Sequence, residues 1–256
     1  MAEVHRMAEQ GYQNAAATYR AGRPDYPEAL APILRDEQGI VPGKTVLDLG
    51  AGTGKFTARL VATGAAVIAV EPVEAMRGEL ATALPTVDLR PGTAAAIPAD
   101  DASIDAVFCA QAFHWFATAE SLAEIRRVLK PGGLLGLVWN VRDETVDWVA
   151  ALTDLITPYE DHTPRYRHMI WRSLFPAAGF SPLEETAYPY AHEGPAEQVV
   201  LDRFMSISFV ASQPPAVRNR IEGDIRRLIA GTPALSGPGS TAFPYITRLY
   251  TCRKTH

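Results

Sequence analysis

The chain has 256 residues, 47% hydrophobic and 21% charged, enough apolar side chain for one full core without staples. Its 24 Lys and Arg against 29 Asp and Glu give a formal net charge of -5 with no basic block, which argues against nucleic acid or an anionic membrane as partner. The 2 cysteines, Cys109 and Cys252, lie far apart in apolar or β-like stretches, so a disulfide framework and a cysteine-based zinc site are not expected, and lone thiols suit a reducing compartment.

Residues 1–10 carry charges and no apolar leader, and no run reaches the length of a membrane span, so the expected location is cytoplasmic. Residues 1–40 read as an N-terminal helical arm or lid, with the proline-rich link Arg20–Pro27 inside it. From Thr45 to Asn140 one pattern repeats: an apolar run, a turn, then a stretch of helical period. The runs are Thr45–Leu49, Ala66–Val70, Val87–Arg90, Ile104–Cys109 and Leu134–Trp139. Strands alternating with helices predict right-handed crossovers and a doubly wound, mostly parallel α/β sheet with helices on both faces. Ser121–Lys130 reads as a helix with Leu122, Ile125 and Leu129 on one face, ended by Pro131, Gly132 and Gly133.

Beyond Asn140 the pattern loosens. Helices are expected over Val146–Thr157, Ala196–Phe209 and Pro215–Ala230, and strands over Leu183–Tyr190 and Phe243–Arg253. The chain thus divides into an arm (1–40), a ligand-binding core (41–142), and a substrate-specifying helical insertion with the last strands of the sheet (143–256), all within one domain.

The strongest motif is Asp48-Leu49-Gly50-Ala51-Gly52-Thr53-Gly54, where a strand runs into a glycine turn and then a helix. Glycines there let the backbone turn tightly and approach a ligand at the C-terminal end of a strand. The spacing is G-x-G-x-G, with Lys55 where a dinucleotide fingerprint has its third glycine. A phosphate-binding Walker loop is also excluded, because Gly54-Lys55 is followed by Phe56 and preceded at the required distance by Leu49. At the end of the second expected strand, Glu71 stands 21 residues after Gly50, where a carboxylate can accept from both hydroxyls of a ribose. Capping of the following helix is the plainer role for Glu71.

These residues resemble the first motifs of class I S-adenosylmethionine (SAM)-dependent methyltransferases, over about Thr45 to Asn140. The resemblance implies a Rossmann-like fold and SAM as cofactor, with S-adenosylhomocysteine as product. It implies a cofactor site of Tyr19, Arg23, Asp48, Gly50, Ala51, Gly52, Thr53, Glu71, Pro72, Met76, Thr93, Ala94 and Gln111. Tyr19 and Arg23 resemble the pair with which related enzymes close over the cofactor, Arg23 holding its carboxylate. Thr93 and Ala94 stand in the turn that resembles the adenine edge, although the acid many relatives carry there is replaced by alanines.

After the fourth expected strand comes Gln111-Ala112-Phe113-His114-Trp115-Phe116, beside the methyl group in the family's geometry. The Asn/Asp-Pro-Pro-aromatic pattern of base-methylating relatives is missing, and His-Trp-Phe instead resembles the small-molecule branch that includes trans-aconitate and natural-product methyltransferases. The implied function is methyl transfer to oxygen, nitrogen or carbon of a small molecule, carboxylates and natural products among the acceptors, by a monomer or homodimer. His114 is the candidate base, because imidazole titrates near neutrality; hydrogen bonding or simply walling the pocket are its other roles. Tyr12, His114, Trp115 and Trp139 are the candidate substrate contacts, with Phe116 and Asn140 as further wall candidates. His162, His168 and His192 have no metal-ligand spacing, so no metal is expected. The residues leave open a SAM-binding protein that performs a non-methylating reaction or an interaction, and an NAD(P)-dependent oxidoreductase on the same kind of sheet.

Overall fold

A computed structural model of the chain describes residues 23–161, 164–237 and 239–255. Seven strands form one sheet in the order β3-β2-β1-β4-β5-β7-β6. They are β1 (Thr45–Leu49), β2 (Ala66–Val70), β3 (Asp88–Arg90), β4 (Ile104–Ala110), β5 (Leu129–Arg142), β6 (Glu184–Gly194) and β7 (Thr241–Arg253). The first five run parallel, while β7 is antiparallel to both β5 and β6. Near-continuous apolar runs in β1, β2 and β4 are what a parallel sheet covered on both faces requires.

Successive side chains of β1 supply opposite cores. Leu47 and Leu49 pack with Ile68, Val107, Leu122 and Ile125, the last two from α4 (Ala119–Val128). Val46 packs on the other face with Phe56 and Leu60 of α2 (Lys55–Val61) and with Leu30 and Leu34 of α1 (Leu30–Asp36). Beyond β2, Leu80 of α3 (Glu74–Ala83) packs against Ala51 and Ala69. The chain winds outward from β1 to β3 and then returns to β4 on the other side of β1. The neighbouring ends of β1 and β4 are therefore a topological switch point, where open α/β sheets form a crevice.

The third crossover departs from the expected alternation. Residues 91–103 between β3 and β4 form turns and bridges without a helix, in a stretch interrupted by Pro91, Gly92 and Pro98. α4 stops at Val128 because the chain passes directly into β5, whose Leu129 already pairs with Ile104.

Between β5 and β7 the chain builds a second core. Leu152 and Ile156 of α5 (Asp147–Ile156), Val200, Phe204, and Ile221 and Ile225 of α6 (Pro215–Gly231) gather around Phe243 and Tyr245 at the start of β7. Residues 143–240 thus hold two helical stretches on either side of β6. The helix expected over Ala196–Phe209 is broken into a π-helical Glu197–Asp202, a short Arg203–Met205 and Ser208–Ala211, with Ile207 extended between the last two. Ser206 explains part of the break, since its hydroxyl donates to Arg203 O at 2.8 Å and competes for a helical acceptor. Cys109 and Cys252 are free and buried. Among the described residues no helix is long and apolar enough to cross a membrane.

Candidate active site

A cavity of about 290 Å³ opens at the switch point, and the glycine turn is its floor. Gly50 and Ala51 donate to Val70 O at 2.8 and 3.1 Å, which ties the turn to the end of β2. Gly50 and Gly52 take φ of +75° and +58°, the left-handed region that side chains resist. They are glycine for different reasons. A Cβ on Gly50 would come within 2.8 Å of Ala112 Cβ, whereas one on Gly52 would meet nothing within 4 Å and stand in the open space of the cavity.

Two carboxylates face this cavity from adjacent strands. Glu71 is 6% exposed; its Oε2 accepts from Gly52 N and its Oε1 from Val73 N, both at 2.9 Å. The side chain therefore ties the glycine turn to the start of α3 and keeps a further lone pair on each oxygen. Burial pushes its pKa up, and the two N–H donors and Arg77 oppose that shift. Asp48 is wholly buried at the end of β1; its Oδ2 accepts from Thr57 Oγ at 2.6 Å, while Oδ1 has no hydrogen-bond partner. Burial raises its pKa to about 7, with Glu71 adding in the same direction.

Pro72, Met76, Thr93 and Ala94 complete one wall. Arg23, Gln111, Trp115, Phe116 and Asn140 close the other. Gln111, with a left-handed φ of +55°, ends β4; its amide donates to Asn140 O at 2.9 Å. Asn140 in turn donates to Asp25 O at 3.0 Å and accepts from Thr247 at 2.7 Å. Lys55 pairs with Asp25 at 2.7 Å, so it pins the proline-rich link over the cavity.

Arg23, Gln111, Trp115, Asn140 and Arg203 also line a second cavity of about 120 Å³, with His114, Arg142, Glu144, Arg165 and Arg167 among its other walls. His114 Nδ1 accepts from Trp139 Nε1 at 3.2 Å. An indole nitrogen can only donate, so the imidazole is the neutral tautomer with its proton on Nε2. Burial, with the charges of Arg23, Arg165 and His168, lowers its pKa to about 3. An imidazole so placed is a hydrogen-bond donor near neutrality and a poor proton acceptor.

The expected site residues Arg23, Asp48, Gly50, Ala51, Gly52, Thr53, Glu71, Pro72, Met76, Thr93, Ala94, Gln111 and Trp115 all border the first cavity. Tyr12 and Tyr19 lie outside the described residues. Trp139, expected as a wall of the substrate pocket, lines neither cavity: it is fully buried and stacks on Trp171 at 4.6 Å. Along β5 successive side chains point to opposite faces, so its neighbour Asn140 reaches the site instead. Sequence reasoning also missed Arg142, Arg165 and Arg203. Arg142 sits at the end of a strand beside an expected wall, which is a usable signal; the other two fall where no pattern marks them. Among the described residues no group of His, Cys, Asp or Glu could hold a metal ion.

Residues 47–137, from β1 into β5, match the family described as a methyltransferase domain. A methyltransferase-like protein of Schizosaccharomyces pombe is 37% identical over 254 residues, 97% of this chain and 98% of the relative. An uncharacterized methyltransferase of Mycobacterium tuberculosis is 40% identical over 237 residues, 92% of each chain. Among solved structures, phosphoethanolamine N-methyltransferase 2 of Haemonchus contortus, bound to phosphomonomethylethanolamine and S-adenosylhomocysteine, has a TM-score of 0.61 at 14% identity, covering 100% of this chain and 61% of that one. The cyclase SpnF has a TM-score of 0.59 at 20% identity, covering 97% and 95%. At such identities the two structures speak for the fold alone. The near-full-length relatives, the matched domain and the strand order agree, and the chain belongs to the class I SAM-dependent methyltransferases.

Proposed function

We propose that the chain transfers the methyl group of SAM to a small-molecule acceptor that sits between the two cavities. The observation that carries this reading is the buried pair Asp48 and Glu71 beside the open face of Gly52. Two acids whose ionisation is opposed by burial suit a ligand that brings hydroxyl donors and positive charge. A pyrophosphate would meet two carboxylates there, which disfavours a nicotinamide dinucleotide.

When bound, SAM supplies a methyl group already activated on a sulfonium. In this reading Glu71 accepts from the ribose hydroxyls with the lone pairs that Gly52 and Val73 leave free. Gly52 gives clearance, Arg23 holds the amino-acid carboxylate, and Pro72, Met76, Thr93 and Ala94 border the adenine. Trp115 and Phe116 exclude water and Gln111 fixes the approach, so that alignment and desolvation supply the acceleration. His114 donates from Nε2 to the acceptor and is not the base; a carboxylate acceptor, already an anion near neutrality, needs none.

The test is mass-spectrometric detection of S-adenosylhomocysteine when protein and SAM meet a panel of carboxylic acids, phenols, amines and carbon acids. Acceptor-dependent product is the expected result. Failure to bind SAM in parallel calorimetry overturns the reading.

A further inference from the structure

The second cavity is electrostatically unlike the rest of the chain. Its lining brings together five guanidinium groups, Arg23, Arg142, Arg165, Arg167 and Arg203, and one carboxylate, Glu144, in a protein with a net charge of -5. Close by, Glu160 pairs with Arg165 and lies 4.0 Å from Arg167 and 2.6 Å from His168. Among the described residues the acid nearest Arg142 is Glu144, in a long contact at 3.9 Å, and that carboxylate already accepts from Thr153 at 2.9 Å.

The Arg142 side chain is 7% exposed, with its guanidinium 5.0 Å from the centre of the Phe204 ring. Burial, then the charges of Arg165 and Arg203, depress its pKa to about 9. Arg165 is depressed as well, by burial and by Arg167 and Arg23, against the pull of Glu160. Arg203 donates to Tyr245 Oη at 3.2 Å, which fixes its plane at the cavity wall. Cations packed against one another out of water are a cost to the fold that a bound anion removes. The neutral His114, with its proton on Nε2, adds a donor on the same wall.

We propose that this cavity is the anion subsite of the acceptor, in which Arg142 and Arg165, with Arg203 beside them, hold a carboxylate or phosphate group of the substrate remote from the atom that receives the methyl group. The inference rests on the reading that the acceptor lies beside the cofactor cavity. It goes beyond that reading by naming the charge of the acceptor and the residues that select it. Gln111, Trp115 and Asn140 border both cavities, so a molecule anchored by its anion at the arginines reaches the sulfonium side of the first cavity without leaving the protein. A planar guanidinium fits either oxyanion through paired N–H donors, which turns charge attraction into orientation.

The experiment titrates succinate, its uncharged diamide and inorganic phosphate into protein saturated with S-adenosylhomocysteine, read by calorimetry. Saturable binding of succinate or phosphate but not the diamide is expected, weakened about tenfold or more in Arg142→Met, with cofactor affinity unchanged. Succinate alone assigns a carboxylate, and phosphate alone a phosphoryl group. Cofactor-free Arg142→Met melts no lower than the parent, since it removes a cation that faces two others. If that variant fails to fold, Arg165→Gln carries the same comparison. No anion binding to cofactor-loaded protein overturns the subsite and leaves the proposed reaction standing, as does equal binding of the diamide or anion binding by the variant as tight as the parent's. No cofactor binding overturns both.

Discussion

The two cavities share a wall and are made by opposite means. The cofactor cavity is shaped by backbone: two strand ends at a switch point, a glycine turn, and one carboxylate that gathers N–H groups from that turn and from the start of α3. The second is shaped by long side chains that arrive from the link at Arg23, the end of β5 at Arg142, a loop at Arg165 and a broken helix at Arg203. A fold can reuse the first for one cofactor while the second is redrawn by a few substitutions, since nothing in the sheet depends on which side chains reach it.

Substitutions in the glycine turn separate folding from binding. Gly50→Ala forces a Cβ to 2.8 Å from Ala112 at a left-handed φ, so it should cost roughly 3 kcal/mol of stability and lower Tm by about 6–12 °C in a thermal melt. Gly52→Ala meets nothing within 4 Å and should lose only about 1–2 kcal/mol from its backbone strain, yet bind SAM far more weakly because the methyl occupies the cavity. Equal stability losses for the two variants would contradict the division of labour between the glycines.

Asp48 supplies a pH test. Its pKa in the fold is about 7 against an ordinary 3.8, so its contribution to stability is fully present below about pH 4 and is lost as pH rises through 7. Asp48→Asn keeps an acceptor for Thr57 but cannot ionise. Relative to the parent, the cofactor-free variant should gain on the order of 1–3 kcal/mol between pH 5 and pH 8. Parallel stability curves over that range would show that Asp48 is not held in its neutral form.

The smallest effect belongs to His114. With its pKa near 3, it contributes no limb to the rate profile between pH 6 and 8. His114→Gln retains a donor and should lower kcat/KM by about tenfold or less without changing the shape of the profile. Disappearance of a limb near pH 6.5 in the variant would restore the imidazole as a base.

What the sequence made legible follows from how local each feature is. Gly50, Gly52 and Glu71 act within one turn and the adjoining strand end, so spacing alone brings them together. At the end of β5 the sequence marks Trp139 and Asn140 together, and only alternation separates them: it sends Trp139 into an aromatic cluster with Trp171 and Tyr250 and presents Asn140 to the cavities. The arginine pocket was illegible because Arg23, Arg142, the Arg165–Arg167 loop and Arg203 are separated by tens of residues and become neighbours only when β7 folds back antiparallel and carries the second helical core with it. Helical period also misled at Ala196–Phe209, where apolar spacing continued through serines that interrupt the helix.

The central claim is that cofactor recognition and acceptor recognition reside in separate cavities. It is tested most directly by calorimetric titration of SAM into the parent, Glu71→Ala and Arg142→Met. Glu71→Ala should lose roughly 1.5–3 kcal/mol of binding, the range for a hydrogen bond to a charged group, while Arg142→Met binds as the parent does. Unchanged affinity in Glu71→Ala, or a loss in Arg142→Met as large as that expected for Glu71→Ala, would contradict it.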